Sequence, residues 1–438
     1  MKDRSNGPSR SYHRSNMNVS TQPNRERPRR LLLCLDGVPH AVVLAAKSRG
    51  LFDSFGPPAR LLSPFPTMTN IALATMMGGT PPAGYESLYF DRNKRELCGG
   101  VSKYVGRRTP DKLPASYMKA LDYQEPLAFE FLVYVAPEKV WRADMRRFRD
   151  RFRAAPRDRD YFAFLKGTDG LMHIRGPAHL QVALESLDKI LKELQLHCGQ
   201  DTEIVLFSDH GMNLYRNERV SLRTHLEKRG FKFSSRLNGS AQSLATPAFG
   251  LCGYAAVYCG DQAARPVVSE ALTELEGVDF AVYSDAGDSV SIQSPKGSAR
   301  IEHQNRDGQD FFRYECSVGD PLDLLAIQNE LRAEGKLDPQ GFGPDDIWLE
   351  RTANHTYPDT LANLYSSLHT HRVRHTADVL VSFRDGFYYG WSPFSRLVPL
   401  AATHGNALRP SSDAFMMSTH RNLPGYVRAD DAGPLLKA

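Results

Sequence analysis

Three continuous apolar runs, each ending on an acidic residue, dominate the hydrophobic pattern of the chain. RLLLCLD (30–36) stops at Asp36-Gly37, YFAFLKGTD (161–169) at a Gly-Thr-Asp-Gly turn, and EIVLFSDHG (203–211) at Ser-Asp-His-Gly. Runs of this kind suit strands buried on both faces of a parallel sheet. Between the second and third, GPAHLQVALESLDKILKELQ (176–195) sets apolar residues at 180, 182, 184, 187, 190, 191 and 194, close to helical spacing. Alternating strand and helix predicts an α/β fold: a doubly wound, mainly parallel sheet with helices on both faces. Ligands bind such sheets at the carboxyl edge, where Asp36, Asp169 and Asp209 would collect.

Other segments trim that plan. VWRADMRRFRDRFR (140–153) spaces Trp141, Met145, Phe148 and Phe152 by 4, 3 and 4, the pattern of an amphipathic helix with a solvated, Arg-rich outer face over an aromatic stripe. DSVSIQSPKGSARIEH (288–303) alternates on both sides of Pro295-Lys296-Gly297, which predicts an antiparallel hairpin in a lid segment inserted over the site. LANLYSSLHTH (361–371) reads as a helix and ADVLVSF (377–383) as another buried strand. The segments around 80–160 and 260–375 carry no readable motif and are taken as insertions into one catalytic domain spanning 28–438.

Composition narrows the class. With 438 residues, 41% of them hydrophobic, 33 Gly and 28 Pro, the chain is too apolar for a disordered protein and too polar for a membrane one. The longest apolar candidate for a span, LAFEFLVYVA (127–136), is about half the required length and contains Glu130. The net charge of +5 is a property of one end. Residues 1–30 hold eight basic side chains against Asp3 and Glu26, so this segment carries +6 and the remainder −1. Residues 1–27 are expected to be a disordered basic tail, and nucleic acid is a partner only through it. That tail contains no apolar core of a secretory signal. Six cysteines (Cys34, Cys98, Cys198, Cys252, Cys259, Cys316) without Cys-x-x-Cys spacing read as free thiols, so a cytoplasmic location is expected.

The chemistry lies in five places. Asp36 follows a buried strand, where a lone carboxylate commonly caps a helix. Asp209-His210 offers an oxygen and a nitrogen ligand side by side, and Asp169 with His173 offers the same pair four residues apart. His404 stands in a Gly-flanked loop, AATHGNA (401–407). In FPTMTNIALATMMGG (65–79), Pro66 and the hydroxyls of Thr67 and Thr69 precede an apolar helical run. Such a helix start serves equally as an N-cap or as a seat for phosphate.

In this order, strand-Asp, Thr before a helix, Asp-x-x-x-His, Ser-Asp-His-Gly-Met (208–212) and a late Thr-His-Gly resemble the alkaline phosphatase superfamily, in its nucleotide pyrophosphatase/phosphodiesterase branch. The resemblance covers residues 30–420. It implies an alkaline-phosphatase-like fold with two divalent ions, most simply Zn²⁺. One would be held by Asp36, Thr69, Asp209 and His210, the other by Asp169, His173 and His404. It places the nucleophile on Thr69, with Thr67 the runner-up. The chain departs from the branch at Gly167-Thr168 before Asp169, at Met172 before His173, and at Asn70-Ile71-Ala72-Leu73 after the threonine. Asn70, Ser87 and Lys166 are the candidates to bind substrate. The implied activity is hydrolysis of a small phosphodiester or of a nucleotide pyrophosphate bond. A phosphomonoesterase, with Lys166 or Arg175 meeting the extra charge, and a non-catalytic binding protein retaining the fold are the alternatives. Oligomeric state is not legible.

Overall fold

The computed structural model describes residues 29–100, 115–199 except 134, 201–390 except 286, and 400–437. The basic tail lies outside them. The three apolar runs form the centre of a seven-stranded sheet. Its strands are β1 (Arg30–Leu35), β2 (Ala59–Leu62), β3 (Tyr123–Gln124), β4 (Tyr161–Leu165), β5 (Glu203–Ser208), β6 (Asp413–Ser418) and β7 (Tyr426–Arg428), in the order β7-β2-β6-β5-β1-β4-β3. All neighbouring pairs are parallel except those made by β6, which runs antiparallel to both β5 and β2.

Side chains alternate between two cores. Leu31, Leu33, Leu35, Ala163, Leu165 and Leu206 point one way; Leu32, Cys34, Phe162, Phe164, Val205 and Phe207 point the other. Helix α1 (Thr69–Met77) covers the second face through Ala72, Leu73 and Met76. The first face is covered by α2 (Pro137–Ala154), α3 (Gly167–Arg175) and α4 (Pro177–Cys198). Helix α2 shows why the spacing works: Trp141, Met145, Phe148 and Phe152 are all buried, Pro137 opens the helix where its missing N–H costs nothing, and Arg151 and Arg153 sit at the negative end of the dipole. Each such aromatic contributes about 1.5–3 kcal/mol on burial.

The Gly-Thr-Asp-Gly turn opens a helix, as the four-residue spacing of Asp169 and His173 requires: β4 stops at Leu165 and Gly167 begins α3. One expectation changes. The inserted material is more than a lid hairpin. Residues 289–294 and 297–306 do pair antiparallel, with Ser294 opposite Gly297. They belong, however, to a nine-stranded sheet built from 232–233, 243–245, 254–259, 278–284, 289–294, 297–306, 309–319, 343–344 and 379–383. The strand at 379–383 is central there and antiparallel to both neighbours. Its run is buried throughout and apolar except for Ser382, because both of its faces are covered, the same signature a parallel strand leaves. It is 254–259 and 379–383, not the hairpin, that reach the His404 loop: Gly253 N–H donates to His404 O at 2.6 Å and Asn406 Nδ2 to Phe383 O at 2.9 Å.

All six cysteines are unpaired thiols, with Cys34, Cys252 and Cys259 buried. Among the described residues, no helix is long and apolar enough to cross a membrane.

Candidate functional site

Strand β1 has β4 on one side and β5 on the other, so the chain winds away from it in both directions and leaves a crevice at the carboxyl edge. Register brings the three strand ends level. Leu35 faces Leu165 across one ladder and Ser208 across the other, which sets Asp36, Lys166 and Asp209 side by side. Gly37 then turns the chain with φ +72°. A Cβ there would press within 3.3 Å of both Asp169 Oδ1 and His210 Cε1, so the tight approach requires glycine.

Two ligand clusters result. Asp36, Asp209 and His210 form one, and Asp169, His173 and His404 the other; within each, one ligand atom per residue lies within 4.8 Å of the rest, and all six residues are buried. The clusters touch, since the His210 and His404 rings stack at 4.0 Å between centroids. Thr69, the first residue of α1, joins the first cluster: its Oγ lies 3.2 Å from Asp36 Oδ1 and 3.2 Å from His210 Nε2. It is half-buried, whereas Thr67 is fully enclosed and its Oγ is spent on the His404 loop, donating to Asn406 O (3.2 Å) and accepting from Gly405 N–H (2.8 Å).

The three histidines share one arrangement. Each turns Nδ1 to a backbone carbonyl at 2.8 Å: Gly211 O for His210, Thr67 O for His404 and Ala402 O for His173. With Nδ1 donating, a neutral ring presents a bare Nε2 lone pair inward. His173 Nε2 lies 3.1 Å and His404 Nε2 3.6 Å from Asp169 Oδ1; His210 Nε2 lies 3.4 Å from Asp209 Oδ2. Asp36 Oδ2, Asp169 Oδ1 and Asp209 Oδ2 are buried without a hydrogen-bond donor. Three carboxylate oxygens and three imidazole nitrogens thus converge, a donor set that fits a pair of divalent cations.

The electrostatics agree. Burial, with the charges of Asp209 and Asp169, pushes the Asp36 carboxyl well up. Burial raises Asp209 to about 6, against the pull of the Gly37 N–H, which donates to it at 3.0 Å. Burial lowers His210 to about 4 and His404 to about 3, the neighbouring imidazoles adding to the effect. Burial also works on Asp169 and His173, but their mutual attraction outweighs it, so Asp169 falls and His173 rises.

The remaining candidates lie around these clusters. Asn70 follows Thr69 and accepts from Tyr117 Oη through Oδ1 at 2.6 Å, which leaves its Nδ2 as the end able to donate. Lys166 lines a small cavity together with Asp169, Glu125 and Asp144, and its charge acts on Asp36 and His173. Ser87 belongs to neither cluster; its carbonyl accepts from Gly100 N–H at the base of a small hairpin, 88–91 with 96–99. Sequence reasoning missed the supporting roles of Ser63, whose hydroxyl donates to Asp209 O at 2.5 Å, and of Asn363, whose Oδ1 accepts from Phe65 N–H at 2.7 Å. Their partners are some 146 and 298 residues away, beyond any local pattern.

No sequence-family model and no curated protein matches the chain. Among solved structures, phosphonoacetate hydrolase from Sinorhizobium meliloti in complex with phosphonoformate is similar, with a TM-score of 0.51 and 14% identity over 94% of this chain and 95% of that one. Human ectonucleotide pyrophosphatase/phosphodiesterase 5 aligns over 93% of each chain at 13% identity and a TM-score of 0.49. The first likeness establishes the fold: a mixed α/β architecture of the alkaline phosphatase type.

Proposed function

We propose that the protein is a two-metal hydrolase of phosphate esters, acting on phosphodiester or nucleotide pyrophosphate bonds, with Thr69 as nucleophile and zinc as the metal. The observation that carries this reading is the convergence of six buried ligand groups and one hydroxyl on a single carboxyl edge, every imidazole Nε2 turned inward. The first cluster with Thr69 gives four ligands; the second gives three, the count at which zinc keeps a position for substrate or water. A bound pair of cations would supply Lewis acidity, lowering the pKa of hydroxyl and water and neutralising phosphoryl charge.

The chain's own groups do the rest. Thr69 Oγ stands at the start of α1, where the positive end of the helix dipole faces an incoming phosphoryl oxygen. As Oγ gives up its proton to solvent and bonds to phosphorus, the bond to the leaving oxygen breaks, releasing an alcohol from an ester or a phosphate group from a pyrophosphate, and Thr69 carries the remaining phosphoryl group. Water then cleaves that ester and returns the hydroxyl. Asp36 Oδ1 and His210 Nε2, each 3.2 Å from Oγ, seat it in the first cluster. Asn70 Nδ2 is assigned to a non-bridging phosphoryl oxygen. The similar hydrolase is in complex with phosphonoformate, a small phosphorus oxyanion, which supports a ligand of that chemical class. A phosphomonoesterase is the second reading, favoured by Lys166, whose cation beside Asp169 would meet the extra charge of a monoester.

The test is hydrolysis of paired aryl monoester and diester substrates by the zinc-loaded protein and by Thr69→Ala. The diester should turn over faster, and Thr69→Ala should be at least about a hundredfold slower on it. Stoichiometric zinc with no hydrolysis of either ester would establish the binding-protein alternative instead.

A further inference from the structure

The two clusters come from different parts of the chain, and something must hold them in register. Asp385 follows the central strand 379–383 of the second sheet. Its Oδ1 accepts from Asn213 Nδ2 at 3.2 Å and from Asn406 Nδ2 at 3.0 Å. Asn213 lies three residues after His210, and Asn406 two after His404; both are fully buried. Asn213 grips the His404 loop directly, its backbone N–H donating to Thr403 O at 2.8 Å and its Oδ1 accepting from Thr403 N–H at 3.0 Å. Asn406 reaches the nucleophile segment, its carbonyl accepting from Thr67 Oγ.

We infer that Asp385 is a positioning residue, a carboxylate from the second sheet that ties the loop carrying Asp209 and His210 to the loop carrying His404. A carboxylate only accepts, so both amides must turn Nδ2 toward it. That choice leaves Asn213 Oδ1 facing away, where Thr403 N–H meets it. Asp385 thus joins Asn217 Oδ1, which accepts from Asn213 Nδ2 at 3.1 Å, and Phe383 O, which accepts from Asn406 Nδ2 at 2.9 Å, in setting the amide orientation, and it is the acceptor the two amides share. Burial makes the tie strong, because an enclosed amide N–H that loses its acceptor loses the water that would replace it. The consequence for metal binding rests on the two-metal reading; the tie itself does not.

The experiment uses the full chain with Asp385→Ala, Asp385→Ser and Asp385→Asn. Hydrogen–deuterium exchange of the metal-free proteins reads the tie, and competition for zinc against a chromogenic chelator reads its consequence. In Asp385→Ala, peptides covering 209–217 and 400–408 should exchange at least about tenfold faster while the β1 and β4 peptides stay unchanged. Zinc affinity should fall about 10–100-fold, the range for groups that orient metal ligands. Asp385→Asn still accepts twice and should stay within about threefold on both readouts. If Asp385→Ala is insoluble, Asp385→Ser, too short to reach both amides, decides by the same criteria. Unchanged exchange in the two peptides, or an equal rise across the whole chain, overturns the inference. A wild-type chain that binds no zinc overturns the two-metal reading, and the exchange data then judge Asp385 alone.

Discussion

Thr67 and Thr69 stand two residues apart, and the structure gives them separable tasks. Thr67→Val removes a hydroxyl with almost no change of shape, yet it deletes the acceptor of Gly405 N–H and the donor to Asn406 O. Both partners are buried, so no water takes over. The stranded N–H costs about 1–3 kcal/mol, and the lost 3.2 Å bond adds about 0.5 kcal/mol at most. At about 1–2 °C per kcal/mol for a chain of this size, melting should drop by about 1–7 °C. His404 keeps its partner, because Nδ1 bonds the carbonyl of Thr67, which any residue supplies. Bound zinc should stay near two per chain and turnover within about tenfold of wild type. Thr69→Ala should show the reverse pattern. Its Oγ holds no buried backbone group, so melting should move by less than about 1 °C, while turnover falls at least about a hundredfold. Thermal unfolding and single-turnover hydrolysis on the same preparations provide the measurements. Should Thr67→Val lose turnover with its melting point intact while Thr69→Ala stays active, the nucleophile is Thr67 and the assignment is two residues out of register.

Three further outcomes are expected. Burial holds His210 near pKa 4 and His404 near 3, against 6.5 unfolded, so their contribution to stability is present above about pH 6.5 and lost as pH falls through the folded values. Asp209, raised to about 6, opposes them by destabilising the metal-free fold as pH rises from about 4 to 6; because zinc uses its ionised form, added zinc should raise the melting temperature more at about pH 7.5 than at about pH 5, and an equal or reversed shift in a fluorimetric melt counts against the site. Gly211→Ala would put Cβ 2.2 Å from Pro410 O and 2.7 Å from Asp413 O, two backbone atoms that cannot swing away, so little folded protein should be recovered on size exclusion. Deleting residues 1–27 should leave hydrolysis of a small aryl diester within about twofold, since at ~0.15 M salt a remote charge is screened within about 8 Å, whereas any affinity for DNA should fall on deletion and weaken steeply with salt.

The parts legible in the sequence were those that local pattern dictates. The run at 30–36, the stripe at 141, 145, 148 and 152, and the Ser294–Gly297 hairpin each follow from spacing within a few residues. The two ligand clusters were drawn from an ordered set of motifs, and the carboxyl-edge register of β1, β4 and β5 is what brings their members together. The second sheet was not legible as a sheet. Its central strand reads like any buried strand, and both its neighbours lie about a hundred residues or more earlier in the chain. The resemblance put the nucleophile on Thr69, but the hydrogen bonds that occupy Thr67 were not legible, because they come from a loop near residue 405.

That every imidazole is anchored to a main-chain oxygen has a consequence for how the site tolerates change over generations. A carbonyl is common to all twenty residues, so a substitution at Thr67 or Ala402 leaves the bond that selects the tautomer in place, whereas Gly211, hemmed in by Pro410 O and Asp413 O, is held by its own lack of a side chain. What can delete that bond is a shift of the backbone, such as a one-residue insertion or deletion in the loops around 67, 211 and 402. Side-chain identities across the surrounding chain can drift far while loop lengths stay fixed. A library scoring substitutions and single-codon indels side by side should find Ala402 permissive to small replacements and every indel within two residues of it inactive.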